Sequence, residues 1–200
     1  MSKTSFISLT ASLVLAITFT LSCDSKEFTD SRDGKTYKKV KIGSQTWMAE
    51  NLNFAAFRSL CYENKPENCE KYGRLYDWET AMKACPSGWH LPSGDEYGVL
   101  DDAVGGEKVA GKHLKAASGL NPSSGIENLD TYGFSAPLGG YGRADGIFIY
   151  YWSIGYWWSA TEIVNDSDYA YSRYMYYDKD YTEWLKNNKS LFFSVRCIQN

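Results

Sequence analysis

This sequence predicts an α+β domain: two or three short helices packed on small antiparallel sheets, with a long loop-rich region. Three observations carry that expectation. Trp78, Ala81, Met82 and Cys85 recur at helical spacing behind Asp77, and Ser93-Gly94-Asp95-Glu96 is a capping box ahead of a second periodic run. Residues of Lys35 to Ile42 and of Leu191 to Ile198 alternate as strands do. Glycine, aromatic and small polar residues dominate residues 121–161, and that punctuation leaves no room for long helices.

The chain begins with Lys3 and an apolar-leaning run, Phe6 to Phe19, that closes on Thr20-Leu21-Ser22-Cys23. The run is too short to span a bilayer comfortably and has the parts of an export signal. Its end resembles the lipobox of bacterial lipoproteins. That resemblance implies cleavage before Cys23, diacylglycerol on its sulfur and an acyl chain such as palmitate on its new amino group, which together anchor far better than one chain would. The expected organisation is a signal peptide over residues 1–22, a lipidated flexible tether over 23–33, and one domain over 34–200. Cys23 to Asp33 reads as tether because it is polar, charged and without apolar periodicity.

Removing the signal takes away only Lys3 from 21 basic residues against 24 acidic ones, so the remainder is net acidic. This argues against a nucleic-acid partner, since phosphate contacts need clustered Lys and Arg. Four cysteines remain after Cys23: Cys61, Cys69, Cys85 and Cys197. In an exported chain an even set reads as disulfides, and three pairings are open. Cys61 and Cys69 flank a short polar loop and suit each other, which leaves Cys85 with Cys197. Closing that longer loop is worth about 4–5 kcal/mol in the chain-entropy picture. Four thiolates on zinc would call for CxxC spacing, which is absent.

The elements follow in order. Val40 and Ile42 alternate against Lys39 and Lys41, Gly43-Ser44 turns the chain, and Gln45 to Leu52 returns as the hairpin partner. Asp77 caps the first helix and Pro86 stops it. Ser93 and Glu96 cap the second, which runs through Tyr97, Leu100, Ala103 and Val104 to Gly105-Gly106. Lys108 to Ala117 makes a further short helix. Ala170 to Tyr177, Thr182 to Lys186 and Leu191 to Ile198 are the closing strands. The last carries Phe193, Val195 and Cys197 on one face, with Ser194 and Arg196 on the other.

Several of these segments together carry a resemblance. Asp33-Gly34-Lys35-Thr36-Tyr37, Gln45-Thr46-Trp47-Met48-Ala49-Glu50-Asn51-Leu52 and Tyr72-Gly73-Arg74-Leu75-Tyr76-Asp77-Trp78 come first. Cys85-Pro86-Ser87-Gly88-Trp89-His90-Leu91-Pro92-Ser93, Gly133-Phe134-Ser135-Ala136, Trp157-Trp158-Ser159-Ala160-Thr161 and Ser194-Val195-Arg196-Cys197 follow. In that order they resemble the Fibrobacter succinogenes major paralogous domain, over nearly all of residues 33–199. That family is similar in layout to the C-type-lectin-like fold, shared with formylglycine-generating enzymes. The resemblance implies a disulfide from the first helix to the last strand, which would be Cys85 with Cys197. It also implies a long loop region where binding members hold their ligand. It licenses architecture more than activity.

The chemistry-bearing residues are few. The lectin tripeptides Glu-Pro-Asn and Gln-Pro-Asp are absent, so calcium-dependent sugar binding has no motif here. Glu162, Asp166 and Asp168 are the nearest oxygen-rich set; they could supply part of a calcium shell, and the plainer reading is a solvated turn. No other cofactor is expected. His90 and His113 lack a nucleophile partner, and no carboxylate pair sits in a catalytic motif, so no catalytic residue is assigned. Aromatic density is the remaining signal. Tyr150, Tyr151, Trp152, Tyr156, Trp157 and Trp158 crowd nine positions, and aromatic faces stack on sugars and give rigid contact area. One of Trp157 and Trp158 is expected in the core, and the loop Gly139 to Tyr156 is the expected ligand surface. The expectation is a non-catalytic, lipid-anchored envelope protein, most simply at the outer membrane, that recognises a polysaccharide or a surface protein. A structural envelope role and an enzyme on the formylglycine-generating scaffold are the alternatives.

Overall fold

The computed structural model describes residues 26–118 and 127–200 of the chain. The expected signal peptide, Cys23 and the first residues of the expected tether lie outside the described residues. Among the described residues no helix is long and apolar enough to cross a membrane.

Strand structure is present earlier than the composition suggests. β1 (Glu27–Thr29) pairs antiparallel with β2 (Thr36–Ile42), which forms the expected hairpin with β3 (Gln45–Met48). Residues 27–33 therefore belong to the domain rather than to a tether. One apolar side chain does this: the Phe28 ring stacks on Trp89 at 4.3 Å and on Tyr37 at 5.6 Å. A three-residue edge strand with one half-buried ring leaves no periodicity to read.

β4 (Ser59–Leu60) and a single 3₁₀ turn at Tyr62–Asn64 lead into α1 (Pro66–Tyr72). This helix occupies what reads in sequence as a polar loop. Pro66 starts it, Cys69 and Tyr72 form its narrow buried face, and Cys69 is bonded to Cys61. β5 (Leu75–Tyr76) precedes α2 (Trp78–Ala84), where Asp77 accepts from the Thr80 amide as predicted. Trp78, Ala81 and Ala84 face inward, while Met82 is exposed. β6 (Trp89–His90) then gives way to α3 (Gly94–Ala103), whose Ser93–Glu96 capping box is complete. α4 (Glu107–Leu114) follows, so the described helices number four rather than two or three.

The region expected to hold only short strands contains a long one. β7 (Tyr141–Gly142) and β8 (Phe148–Ile149) form a small hairpin. β9 (Ile154–Ile163) is ten residues long and pairs with β10 (Asp166–Tyr176), which pairs with β11 (Glu183–Asn188). Gly155 is needed for the start of β9: a Cβ there would come within 2.3 Å of the Trp157 indole. The closing strand is broken in two, β12 (Phe193–Ser194) and β13 (Ile198–Gln199).

Two larger sheets result, the first antiparallel throughout and the second with one parallel pair, β12 with β9. One sheet has the order β1-β2-β3-β13-β6 and the other β11-β10-β9-β12-β5-β4. The C-terminal segment crosses from the second sheet to the first, with Val195 and Cys197 carbonyls accepting from the Leu52 and Met48 amides. It therefore has core on both sides, and Ser194 and Arg196 are buried rather than solvent-facing. β9 alternates as a central strand must. Tyr156 and Trp158 pack with α2 and Phe193, while Trp157 packs on the opposite side with Tyr97, Leu100 and Leu114 of α3 and α4.

Asn51 is the polar centre. Its side-chain oxygen accepts from Arg196 Nε (3.1 Å), Arg196 Nη2 (2.9 Å) and Trp157 Nε1 (2.9 Å), and its amide donates to the Tyr72 carbonyl (2.8 Å). Arg196 also donates to the Phe134 carbonyl and lies over the Phe134 ring. Burial lowers the Arg196 pKa to about 10, still charged at neutral pH. Asn51→Ala should cost about 3–5 kcal/mol, because it strips a buried cation of its side-chain acceptor. Urea denaturation measures this, and a loss under 1 kcal/mol would contradict the role.

Cys85–Cys197 closes a separation of 112 residues and Cys61–Cys69 one of 8. The chain-entropy picture assigns them about 4–5 and about 2–3 kcal/mol. The Cys85→Ala/Cys197→Ala pair should accordingly lower the melting temperature more than Cys61→Ala/Cys69→Ala does. The reverse order in calorimetry would sink that picture.

Candidate functional site

Three successive aromatic residues leave the backbone in three directions. Tyr150 and Trp152 adopt left-handed φ values of 63° and 55°, uncommon for large side chains. Tyr150 turns toward Tyr141, with centroids 6.0 Å apart. Tyr151 stacks on Tyr62 at 5.1 Å and shares a hydroxyl hydrogen bond with Tyr72. Trp152 meets Tyr177 edge-on at 6.3 Å. The Trp152 amide donates to the Leu138 carbonyl, and Gly140 lets the loop pass, since a Cβ there would lie 2.4 Å from the Ile149 oxygen. The expected aromatic surface is thus a fan and not a flat plate.

Of the six aromatic candidates, Tyr150 and Trp152 are about half exposed and Tyr151 is half-buried. Tyr156, Trp157 and Trp158 are in the core, at 7, 2 and 0% exposure. They cannot offer a face to a ligand. Trp157 and Trp158 each spend their indole NH inside, on Asn51 and on the Tyr76 carbonyl. The reason is the length of β9, which carries all three through the centre of the sheet.

Sequence reasoning missed a row of tyrosines that the sheet assembles. Tyr150 contacts Tyr141, Tyr141 meets Tyr156 at 5.2 Å, Tyr156 stacks on Tyr174 at 5.8 Å, and Tyr174 meets Tyr176 at 5.4 Å. Tyr156 and Tyr174 are partners in the β9–β10 register. The row is backed by Phe193, stacked on Tyr156 at 4.9 Å. Tyr141, Tyr174 and Tyr176 are half-buried, so their rings are fixed yet reachable. Within the row Tyr174 donates its hydroxyl to Glu183. Both residues line a shallow cleft of about 470 Å³ with Tyr181, Trp184, Glu107 and Lys108. The alternation Tyr174-Met175-Tyr176 on a strand was the available signal; its meeting with Tyr141 depends on the sheet order.

The acidic candidates do not converge. Glu162 is paired with Lys189 at 3.0 Å and Asp166 with Lys186, while Asp168 lies on the same strand as Asp166. Among the described residues no three His, Cys, Asp or Glu side chains are grouped as a metal site. His90 contacts Glu96 (2.8 Å) and Asn200 (2.6 Å), and His113 contacts Thr131 (2.8 Å). Cys61, Cys69, Cys85 and Cys197 are all in disulfides, so the described residues hold no free thiol.

The chain matches the model of the Fibrobacter succinogenes major domain over residues 40–199, and it belongs to that family. No curated protein and no solved structure matches it.

Burial raises the Tyr156 phenol pKa well above its usual 10. Burial, then the hydrogen bond to Glu183, does the same for Tyr174. Burial lifts Tyr37 to about 12. Phenols whose folded pKa is raised stabilise the fold below their unfolded pKa and lose that contribution as pH climbs. These phenols should therefore hold their contribution from neutrality to about pH 10 and lose it above, while Lys115, whose pKa burial lowers to about 8, adds stability as pH rises past that value. Denaturation midpoints from pH 8 to 11.5 check this, and Tyr156→Phe should make the fall shallower.

Proposed function

We propose that this protein is a non-catalytic cell-envelope lipoprotein, acylated at Cys23 and held at the outer membrane, whose domain is a recognition module for a glycan. The ligand would lie along the tyrosine row from Tyr150 through Tyr141 to Tyr174 and Tyr176, with Trp152 as a neighbouring contact. The row itself carries this reading: rings set edge to face and stacked, with polar hydroxyls on an otherwise apolar surface, suit the alternating faces and hydroxyls of a sugar chain.

A C-type-lectin-like arrangement is consistent with this reading. The Cys85–Cys197 bond ties the end of α2 to the closing strands, and the loop from Gly139 to Ser153 is bonded to the start of β9 through the Gly140 amide and to Phe192 through the Gly142 amide. Recognition would not use calcium, since Glu162 and Asp166 are occupied by lysines. An enzyme of the formylglycine-generating type would need a reactive thiol, and both described cysteine pairs are bonded.

Retention of the unlipidated chain on cellulose, xylan, chitin and peptidoglycan tests this. We expect retention on one of them, indifferent to EDTA and reduced roughly tenfold or more in a folded Tyr150→Ala/Trp152→Ala variant. Retention on none would favour a protein partner or a structural role. EDTA sensitivity would return Asp166 and Asp168 to the site.

A further inference from the structure

A second surface, remote in kind from the tyrosine row, lies on the other sheet. Lys26, Lys38, Lys39 and Lys41 line one groove along β1 and β2, and the only carboxylate lining it is Glu27. Lys26, Lys38 and Lys41 are exposed, and no ion-pair partner for these three lies among the described residues. The phenol of Tyr132, more than a third exposed, stands on the rim. Four lysines against one glutamate stand out on a chain with more acidic than basic residues.

Position makes the charge informative. Cys23 precedes Lys26 by three residues and β1 by four. At no more than about 3.6 Å per residue, β1 begins within roughly 15 Å of the Cys23 backbone. If Cys23 carries lipid, this groove is the part of the domain held nearest the bilayer, within about two screening lengths in physiological salt. The β1–β2 pairing also denies the domain a long leash on which to swing away.

We propose that the lysine groove of β1 and β2 is a membrane-docking face that seats the domain on anionic lipid headgroups, with Tyr132 at the headgroup level. The docking half rests on the groove alone; the orientation it imposes rests on acylation at Cys23, as proposed above.

The test uses the mature chain with Cys23→Ser, so that no acyl chain contributes, sedimented with vesicles of phosphatidylcholine alone or with about one third phosphatidylglycerol. Binding should appear only on the anionic vesicles and fade as salt rises from about 50 to about 500 mM. Lys38→Glu/Lys41→Glu should reduce it at least tenfold, and Lys38→Gln/Lys41→Gln by less, with melting temperatures unchanged because these side chains are exposed. Equal binding to both vesicle types, or no response to charge reversal, overturns the proposal. Binding to a soluble polyanion such as polygalacturonate but to neither vesicle overturns it in favour of an acidic polymer. Acylation is read separately: after a wash at about 500 mM salt, which releases the docking face, Cys23→Ser should move the protein out of the membrane fraction of cells. If it stays there while vesicle binding behaves as expected, the anchor fails and the docking face stands.

Discussion

The fold depends on one oxygen. The Asn51 side-chain carbonyl accepts from the Arg196 guanidinium and the Trp157 indole at once, deep between the two sheets. A buried guanidinium without acceptors is among the costliest defects a small domain can carry. Arg196 therefore forces its surroundings to supply oxygens. They come from Asn51 after β3 and from the Phe134 and Ser135 carbonyls after α4. Ser135 is held there in turn by Asp130, which accepts from its amide and hydroxyl across a short turn with left-handed φ at both ends. One cation thus fixes the path of three segments distant in sequence.

Once Trp157 is bound to Asn51, the register of β9 has no freedom, because a shift of one residue would exchange its two faces. Trp158 must point to α2, Trp157 to α3 and α4, and Tyr156 to the side where β10 presents Tyr174. The tyrosine row is a consequence of that register. So is the fan at Tyr150 to Trp152: the chain must enter β9 at Ile154 while passing Gly140, and left-handed residues make the corner.

Much of this was legible in the sequence, and the failures share a cause. Helix caps, the β2–β3 hairpin and the two disulfides are set by local chemistry or by counting, and they read correctly. α1 and β1 did not, because each buries only one or two side chains and its partners lie far along the chain. Leu191 to Ile198 read as one amphipathic strand, but alternation assumes one wet face, and a segment passing between two sheets has none. Trp157 and Trp158 read as part of an aromatic surface for the complementary reason: aromatic density alone does not distinguish a platform from a core. Asn51 and Arg196 sit in the segments that carry the family resemblance, yet nothing in their spacing says that they meet.

Those segments are largely consumed by the scaffold. Asn51, Tyr72, Tyr76, Trp78, Phe134, Trp157, Trp158 and Arg196 are all buried, most of them hydrogen-bonded to one another or to each other's backbone. A ligand could reach few of them without unfolding the domain. What distinguishes this protein to a partner must then lie in residues outside that pattern, such as Tyr150, Trp152, Tyr174 and the lysines of β2. Charge follows the same division. The interior holds Lys115, Arg173 and Arg196 against Asp30, Asp77 and Asp101, so buried charges balance and the chain's acidic excess falls on the surface. A lysine groove on such a surface makes the domain electrically two-sided. An anionic plane would attract that groove more than the rest of the surface, and docking there would set an orientation as well as a location.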